Sequence, residues 1–333
     1  MLPETFRGFL VRKTGNDRIE TGIEQIPLRD LAAGDVLIRV QYSSLNFKDT
    51  MGASGHPGIV RKFPHVPGID SAGIVAESSS PQYRVGDEVI ATGHELGVER
   101  YGGWGEYVRV PATWIVPRPA GLTLEESMIF GTAGFTAAQC VQALQQHGIR
   151  PDRGEVVVTG ATGGVAAIAI MILAKLGYSV TAVSGKKDRE AWITSLGANK
   201  VVGRDAVADE ARKPMLAAKY AGGVDTVGGT TLVALIKSLQ QRGCVAACGV
   251  VGGAELPLTV YPFILRGVSL QGIDSAWCPE DNRAEIWKLL AGDWKPQKLS
   301  EIATVIDLDQ VADTVRQMQR GEHVGRTVVR VAG

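Results

Sequence analysis

Residues 155–166 read Glu-Val-Val-Val-Thr-Gly-Ala-Thr-Gly-Gly-Val-Ala, and this stretch decides the class of fold. Residues 155–159 are typical of a buried strand, and 165–176 are apolar nearly all round, as in a buried helix. Between them, Gly160, Gly163 and Ala166 permit a tight turn, a close approach of backbone N–H groups to a pyrophosphate, and close packing of helix on strand. The positive end of the helix would complete a phosphate site. A purely structural turn is the alternative, and the strand–turn–helix context disfavours it.

Outward from this turn, strands and helices alternate. A second strand at 179–184 and a helix at 188–196 follow, and further strands are predicted at 200–202, 224–227, 244–248 and 268–273. Continuous apolar strands that alternate with helices predict a parallel sheet covered by helices on both faces.

The end of the second predicted strand indicates the cofactor. NAD-binding folds generally place Asp or Glu there to bind the ribose 2′-hydroxyl. This chain has Ser184-Gly185-Lys186-Lys187 instead, with no carboxylate before Asp188. A hydroxyl, a backbone amide and ammonium groups suit a 2′-phosphate, so the sequence predicts NADP(H) rather than NAD. A solvated turn without a ligand is the alternative.

The first 125 residues have a different character. Short alternating runs such as 35–40 are separated by turn signals at Pro67-Gly68 and Tyr101-Gly102-Gly103, which predicts antiparallel strands in a barrel-like domain. A capped helix is expected to begin after Thr123. Near the C-terminus, a helix at 311–319 precedes a strand at 326–331 that we expect to rejoin the first domain. The predicted domains are therefore 1–125, completed by 276–333, and 126–275.

Composition narrows the possible partners and location. The 35 Lys and Arg balance 35 Asp and Glu, so no net field favours nucleic acid or an anionic membrane. The N-terminal residues show no secretory signal, and the longest apolar run, 165–174, is half the roughly 20 residues of a membrane span. We therefore expect a cytoplasmic protein. The four cysteines have no paired spacing and are predicted to be free, buried thiols.

Several stretches resemble the medium-chain dehydrogenase/reductase superfamily. They include Leu45-Asn46-Phe47-Lys48-Asp49, Pro67-Gly68-Ile69-Asp70, 131–136 and 160–165, in the order found in that superfamily. The stretches 224–228, 243–249, 262–266 and 270–275 are similar to its acrylyl-CoA reductase and quinone oxidoreductase branch. The resemblance spans the chain and implies an α/β protein, with a GroES-like β-barrel catalytic domain and a Rossmann-type doubly wound parallel sheet.

The resemblance also marks what this chain lacks. Zinc-dependent members would carry a cysteine near Phe47 and Gly-His-Glu where Gly68-Ile69-Asp70 stands, and a lobe of four cysteines around 90–115. Since tetrahedral zinc prefers nitrogen and sulfur ligands, we expect no metal. The isolated Gly93-His94-Glu95 is predicted to be a loop. Without a Lewis acid, reduction of an activated C=C bond is more plausible than alcohol oxidation.

The branch implies contacts to NADP by residues in both domains. These contacts fall on Phe47, Thr136, Thr162, Gly163, Gly164, Val165, Ser184, Gly185, Lys186, Arg204, Val250, Ile264, Ser275 and Arg326. Relatives often have tyrosine where this chain has Phe47, which keeps the flat ring without the hydroxyl. A last contact that is commonly asparagine corresponds to Gly321 here.

For the chemistry, Asn46 is a candidate donor to a substrate oxyanion, and Lys48 or Asp49 could steer local charge. A structural role is an equal alternative: Asn46 would cap a turn, and Asp49 would cap the next helix. Arg61 and Lys62 are candidates for coenzyme A phosphates, and a solvated basic turn is their alternative.

The activity implied is reduction of acryloyl-CoA, or a related short enoyl-CoA, to the saturated thioester. NADPH:quinone reduction and a non-catalytic NADPH-binding protein are the alternatives. The strand at 268–273, expected at a sheet edge, predicts a homodimer.

Overall fold

The computed structural model describes residues 1–209 and 213–332. The chain divides into two compact units. The first consists of Met1–Thr132, Ala276–Ala291 and the chain from Leu299 onward, and the second of Ala133–Ser275 and Gly292–Lys298.

Strands and helices are numbered in chain order. The strands are β1 (Thr5–Thr14), β2 (Arg18–Pro27), β3 (Val36–Leu45), β4 (Asp70–Ser78), β5 (Glu88–Thr92), β6 (Tyr107–Val110), β7 (Ile115–Pro117), β8 (Val156–Thr159), β9 (Val180–Val183), β10 (Lys200–Val202), β11 (Tyr220–Asp225), β12 (Leu239–Ala247), β13 (Ser269–Gly272), β14 (Ala303–Asp307) and β15 (Arg326–Arg330). The α-helices are α1 (Phe47–Ala53), α2 (Leu124–Gln146), α3 (Gly164–Lys175), α4 (Glu190–Ser195), α5 (Gly229–Lys237), α6 (Tyr261–Arg266), α7 (Glu280–Ala291) and α8 (Val311–Gln319).

The first unit is built on a seven-stranded sheet with the order β14-β15-β3-β4-β5-β7, in which β6 also pairs with β3. All its pairs are antiparallel except β14 with β15. Strands β1 and β2 form a separate hairpin. Phe6, Phe9 and Trp104 are buried within this unit, where Phe9 and Trp104 meet edge to face. As predicted, the late strand β15 returns to pair with β3.

The second unit contains a six-stranded, wholly parallel sheet with the order β10-β9-β8-β11-β12-β13. Strand β8 is buried along its whole length, and residues 166–173 of α3 are buried as well. The predicted parallel sheet, and the edge position of the strand at 268–273, are confirmed by this order.

The limits of α8 and β10 are as predicted. Strand β8 begins one residue later than predicted, and α3 begins and ends one residue earlier. Strand β11 was wrongly placed at 224–227, because it occupies Tyr220–Asp225. Gly222 and Gly223 belong to this strand although glycine disfavours strands. A Cβ at Gly223 would lie 3.0 Å from the Leu235 side chain, so the neighbouring helix occupies the space of the missing side chain.

Helix α2 begins at Leu124, after the predicted cap. The Thr123 hydroxyl accepts from the Glu126 N–H at 3.0 Å, and the Glu126 carboxylate accepts from the Thr123 N–H at 2.9 Å. The helix is kinked at Gly131, whose φ of 48° and ψ of −154° are not helical. The boundary between the units falls directly after this kink, at Thr132, whereas the sequence places it at 125.

Within the described ranges, no helix is long and apolar enough to span a membrane.

Candidate functional site

The glycine-rich turn of the second unit joins β8 to α3. Gly160 has a φ of 67°, and a Cβ there would collide with the Thr226 hydroxyl. Gly163 is the N-cap of α3 and provides no side-chain cap. The first N–H groups of a helix have no intrahelical acceptor, so those of Gly164 and Val165 are suited to an anion. The turn therefore fits the pyrophosphate of a dinucleotide.

A second anion-binding arrangement lies where β9 and β10 end side by side. The Ser184 N–H donates to the carbonyl of Val202 at 3.0 Å, and the Ser184 hydroxyl accepts from the N–H of Lys186 at 3.0 Å. The Arg204 guanidinium lies against Gly185: a Cβ on this glycine would be 2.6 Å from Nε and 2.9 Å from Nη2. The structure thus brings together four residues that the resemblance implies for the cofactor, Ser184, Gly185, Lys186 and Arg204.

The other predicted cofactor residues of this unit have different surroundings. Val250 and Ile264 are exposed apolar side chains, which makes them accessible to a ligand. Thr162 and Ser275 are half-buried, and Thr136 is buried within α2. Their contacts with a cofactor remain predictions.

In the first unit, Asn46 and Asp49 form a capping box at the start of α1. One oxygen of Asp49 (Oδ2) accepts from the N–H of Asn46 at 2.8 Å, and the other (Oδ1) accepts from the N–H of Ile69 at 2.8 Å. Asp49 is 1% exposed. Burial, and then the neighbouring Asp70, raise the pKa of Asp49 to about 7. The hydrogen bonds confirm the prediction that Asn46 and Asp49 cap the start of a helix.

Asp70 is the centre of a buried polar cluster that also contains Ser44, Asn46, Thr132 and Arg326. Asp70 accepts from the hydroxyl of Ser44 at 2.5 Å, the amide of Asn46 at 2.8 Å and the hydroxyl of Thr132 at 2.6 Å. Glycine is needed at position 131, because a Cβ on this residue would lie 2.5 Å from Oδ2 of Asp70.

Arg326 belongs to the same cluster. Its Nη1 donates to the Asn46 carbonyl oxygen at 3.1 Å, its Nε donates to the backbone carbonyl of Ile129 at 2.8 Å, and the residue is buried. Burial lowers the pKa of its guanidinium, whereas Asp70 and Asp49 raise it. The resemblance implies that Arg326 contacts the cofactor, but its hydrogen bonds in this unit hold Asn46 in position.

These bonds bear directly on the proposed donor role of Asn46. Its Nδ2 lies 2.8 Å from Asp70, 3.0 Å from the Ser44 hydroxyl and 3.1 Å from Asp49. Since an amide nitrogen has two hydrogens, both have acceptors within the protein. Donation from Asn46 to a substrate requires one of these bonds to open. Asp70 is part of a sequence motif, but no sequence signal marks Ser44, so the cluster was not predicted.

The remaining candidates of the first unit are on its surface. Arg61 is 74% exposed at its side chain and lies 3.6 Å from the Glu99 carboxylate. Lys62 and Gly321 are exposed, and the Phe47 ring is 49% exposed. Residues 93–95 are a turn, as predicted.

The cysteines are free thiols, as predicted; Cys140, Cys244 and Cys278 are buried and Cys248 is half-buried. Among the residues described, 1–209 and 213–332, no three His, Cys, Asp or Glu side chains are grouped in a way that could hold a metal ion.

A parallel α/β unit with a phosphate-binding turn, joined to an antiparallel β unit with a buried polar cluster, defines a two-domain dinucleotide-dependent oxidoreductase. Residues 32–120 match the family model for the alcohol dehydrogenase GroES-like domain, and 164–291 match that for zinc-binding dehydrogenases. The chain belongs to the medium-chain dehydrogenase/reductase superfamily, in the branch of acrylyl-CoA reductases and related quinone oxidoreductases.

Two curated relatives cover almost the whole chain. "Putative quinone oxidoreductase YhfP" from Bacillus subtilis is 43% identical over 98% of this chain and 99% of the relative. "Acrylyl-CoA reductase AcuI" from Ruegeria pomeroyi is 42% identical over 94% of this chain and 95% of the relative.

Solved structures show the same fold. The yhdH oxidoreductase from Salmonella enterica, in complex with NADP, has a TM-score of 0.95 at 42% identity and covers 98% of this chain and 100% of its own. The Bacillus subtilis yhfP structure has NAD bound; its TM-score is 0.96 at 43% identity, with coverage of 98% and 100%.

Proposed function

We propose that this protein uses NADPH, without zinc, to reduce the activated C=C bond of a short enoyl-CoA, with acryloyl-CoA converted to propanoyl-CoA. The observation that carries the proposal is the basic site of Ser184, Gly185, Lys186 and Arg204, which suits a 2′-phosphate, in a chain 42% identical to an acrylyl-CoA reductase. The binding of NAD in the yhfP structure makes this site the point at which cofactor preference must be tested.

The proposed cofactor would be held mainly by the second unit. N–H groups at the start of α3 suit the pyrophosphate, and Arg204 and Lys186 suit the 2′-phosphate. Phe47 presents an exposed flat ring for the nicotinamide end, and Val250 and Ile264 present apolar surface. When bound, NADPH supplies a hydride to the β-carbon of the acyl chain.

The first unit has a separate part in the proposal. Hydride addition at the β-carbon places negative charge on the thioester oxygen, which needs a hydrogen-bond donor, and the α-carbon then needs a proton. The cluster around Asp70 holds Asn46 and Asp49 rigidly, and we assign the proton to solvent. A thioester activates its own β-carbon, so no Lewis acid is required.

Zinc independence is supported by the chemistry of the residues at the relevant positions. Asn46 and Asp70 occupy the motifs in which zinc-dependent relatives carry metal ligands. Here Asp70 accepts hydrogen bonds from Ser44, Asn46 and Thr132, which occupy its lone pairs.

The test compares NADPH oxidation with acryloyl-CoA and with 1,4-benzoquinone at matched concentrations. We expect kcat/KM to be higher for acryloyl-CoA, and higher than for a short acryloyl thioester that lacks the nucleotide, because binding of coenzyme A positions the acyl group. Replacing Arg61 and Lys62 with alanine should raise KM for the CoA ester and leave the Kd of NADPH unchanged. A quinone preference of tenfold or more would reject the enoyl-CoA assignment.

NADPH:quinone reduction is the second candidate, and the name of the Bacillus subtilis relative favours it. A non-catalytic NADPH-binding protein is the outcome if neither substrate is reduced. We also propose a cytoplasmic homodimer that pairs through the edge strand β13 and the apolar surface of α6 around Leu265.

A further inference from the structure

His94 is a histidine to which the proposed function gives no part. It lies two residues after the end of β5 and has a φ of 52°, in the left-handed region that few residues other than glycine adopt. Both ring nitrogens are buried, and neither has a hydrogen-bond partner among residues 1–209 and 213–332. Most buried polar groups in native proteins are hydrogen-bonded, so an imidazole with two unmet nitrogens calls for an explanation.

Two tryptophans fix the orientation of this imidazole. The Trp114 ring stacks on it with centroids 4.9 Å apart and an angle of 3° between planes. Trp277 meets it edge to face, with centroids 5.6 Å apart. Trp277 is 59% exposed, so solvent borders much of its indole on the side away from His94. The imidazole thus stacks on Trp114 on one face and is bordered by the partly exposed indole of Trp277.

His94 lies at the same end of the sheet as the polar cluster. Thr92, the last residue of β5, pairs with Asp70, the first residue of β4. The N–H of Gly93 donates to the carbonyl of Ile69 at 2.9 Å, and the N–H of Ile69 donates to Asp49. His94 therefore lies two residues beyond the strand position opposite Asp70, the centre of the cluster.

The charges nearby favour a neutral imidazole and a negative ligand. Arg283 is buried; its Nη1 donates to the carbonyl of Thr92 at 3.0 Å and its Nη2 to the carbonyl of Ala276 at 3.1 Å. The N–H of His94 donates to the same Ala276 carbonyl at 3.0 Å. Burial, and then the charge of Arg283, lower the pKa of His94 to about 4. A neutral imidazole has one N–H donor, and a buried cation beside it stabilises negative charge on an acceptor.

We propose that His94 is a substrate-binding residue, whose ring N–H donates to the substrate carbonyl oxygen when Trp277 turns aside. This inference rests on the proposed function, since both an enoyl thioester and a quinone have such an oxygen. As negative charge grows on that oxygen during reduction, a fixed neutral donor becomes more strongly bound to it. Asn46, whose amide hydrogens already have acceptors, does not compete for this task.

The test replaces His94 with phenylalanine, which keeps a ring stacked on Trp114, and with glutamine, which keeps an N–H donor. We expect H94F to lower kcat/KM for acryloyl-CoA at least about tenfold, with the NADPH Kd unchanged, and H94Q to retain most of the activity. The exposed His147, substituted as H147F, is the matched control and should behave as wild type. If H94F does not fold, His94→Met takes its place as the apolar variant.

The outcomes separate this inference from the proposed function. A wild-type enzyme that reduces acryloyl-CoA, with H94F within twofold of it, overturns the inference alone. Equal losses in H94F and H94Q assign His94 to packing and also overturn it. If only 1,4-benzoquinone is reduced, the enoyl-CoA proposal fails and the same tenfold criterion is applied to the quinone. A wild-type protein that reduces neither substrate overturns both.

Discussion

The contact between Gly185 and Arg204 makes cofactor preference a quantitative prediction. A Cβ at Gly185 would lie 2.6 to 2.9 Å from the Arg204 guanidinium. An aspartate there would pair with Arg204 and remove the positive charge proposed to bind the 2′-phosphate. The same carboxylate could accept from a ribose 2′-hydroxyl, as in NAD-binding folds. Gly185→Asp should therefore weaken NADPH binding and strengthen NADH binding.

The magnitude follows from the number of contacts. A hydrogen bond to a charged group contributes about 1.5–3 kcal/mol, which is about ten- to a hundredfold in Kd. Arg204→Gln, which removes one charged contact, should raise the Kd of NADPH by that factor and change the Kd of NADH by no more than about twofold. Gly185→Asp, which also repels the phosphate, should raise the Kd of NADPH at least as much. In the wild type we expect NADPH to bind at least about tenfold more tightly than NADH.

The assay is equilibrium binding of NADPH and NADH, followed by nucleotide fluorescence at fixed ionic strength. Arg189→Gln is the matched control, because Arg189 lies in the same segment but pairs with Asp188 at 3.1 Å. Equal affinities for the two nucleotides in the wild type, or an equal loss of both in Arg204→Gln, would refute the reasoning.

Three further predictions concern assembly, metal and pH. Light scattering should give twice the 35.4 kDa chain mass, and Leu265→Glu should give monomers; a monomeric wild type would contradict the homodimer. Elemental analysis should find no stoichiometric zinc, and activity should survive a chelator, whereas about one zinc per chain would reject zinc independence. The pKa of His94 falls from 6.5 to about 4 on folding, so the unfolded chain takes up a proton at a higher pH than the folded chain does. Stability is therefore lost as the pH falls from about 6.5 towards 4. The free energy of unfolding, measured in urea near pH 7 and pH 5, should fall by about 1–2 kcal/mol less in H94F than in the wild type. Equal losses in the two proteins would contradict the lowered pKa of His94.

Much of the second unit could be predicted because its signals are local. Apolar runs at 156–159 and 166–173 are buried in the structure, and the glycines between them adopt the turn that their spacing indicates. Two strands were placed wrongly. Strand β12 begins at Leu239 rather than 244, and in β11 the space left by Gly222 and Gly223 is filled by neighbouring residues. The local sequence pattern does not indicate how neighbouring side chains pack against the glycines of a strand.

The polar cluster of the first unit could not be predicted in the same way, because its bonds join distant parts of the chain. Asp70 and Thr132 are 62 residues apart, and Asn46 and Arg326 are 280 apart. The motif at 45–49 marked Asn46 and Asp49 as important but did not show that both are held by other protein groups. His94 was correctly placed in a loop, yet nothing in Gly93-His94-Glu95 reveals the two tryptophans around it.

The position of β15 between β14 and β3 has a consequence for the order in which the protein matures on the ribosome. The second unit is almost contiguous in the chain and can acquire its sheet while synthesis continues. The sheet of the first unit stays open beside β3 until Arg326–Arg330 has been made. Until then the buried carboxyl groups of Asp49 and Asp70 lack the cation that balances them. The nascent chain should therefore be able to bind the dinucleotide before its first unit is complete. A chain arrested shortly before Arg326 should bind the dinucleotide but have no activity.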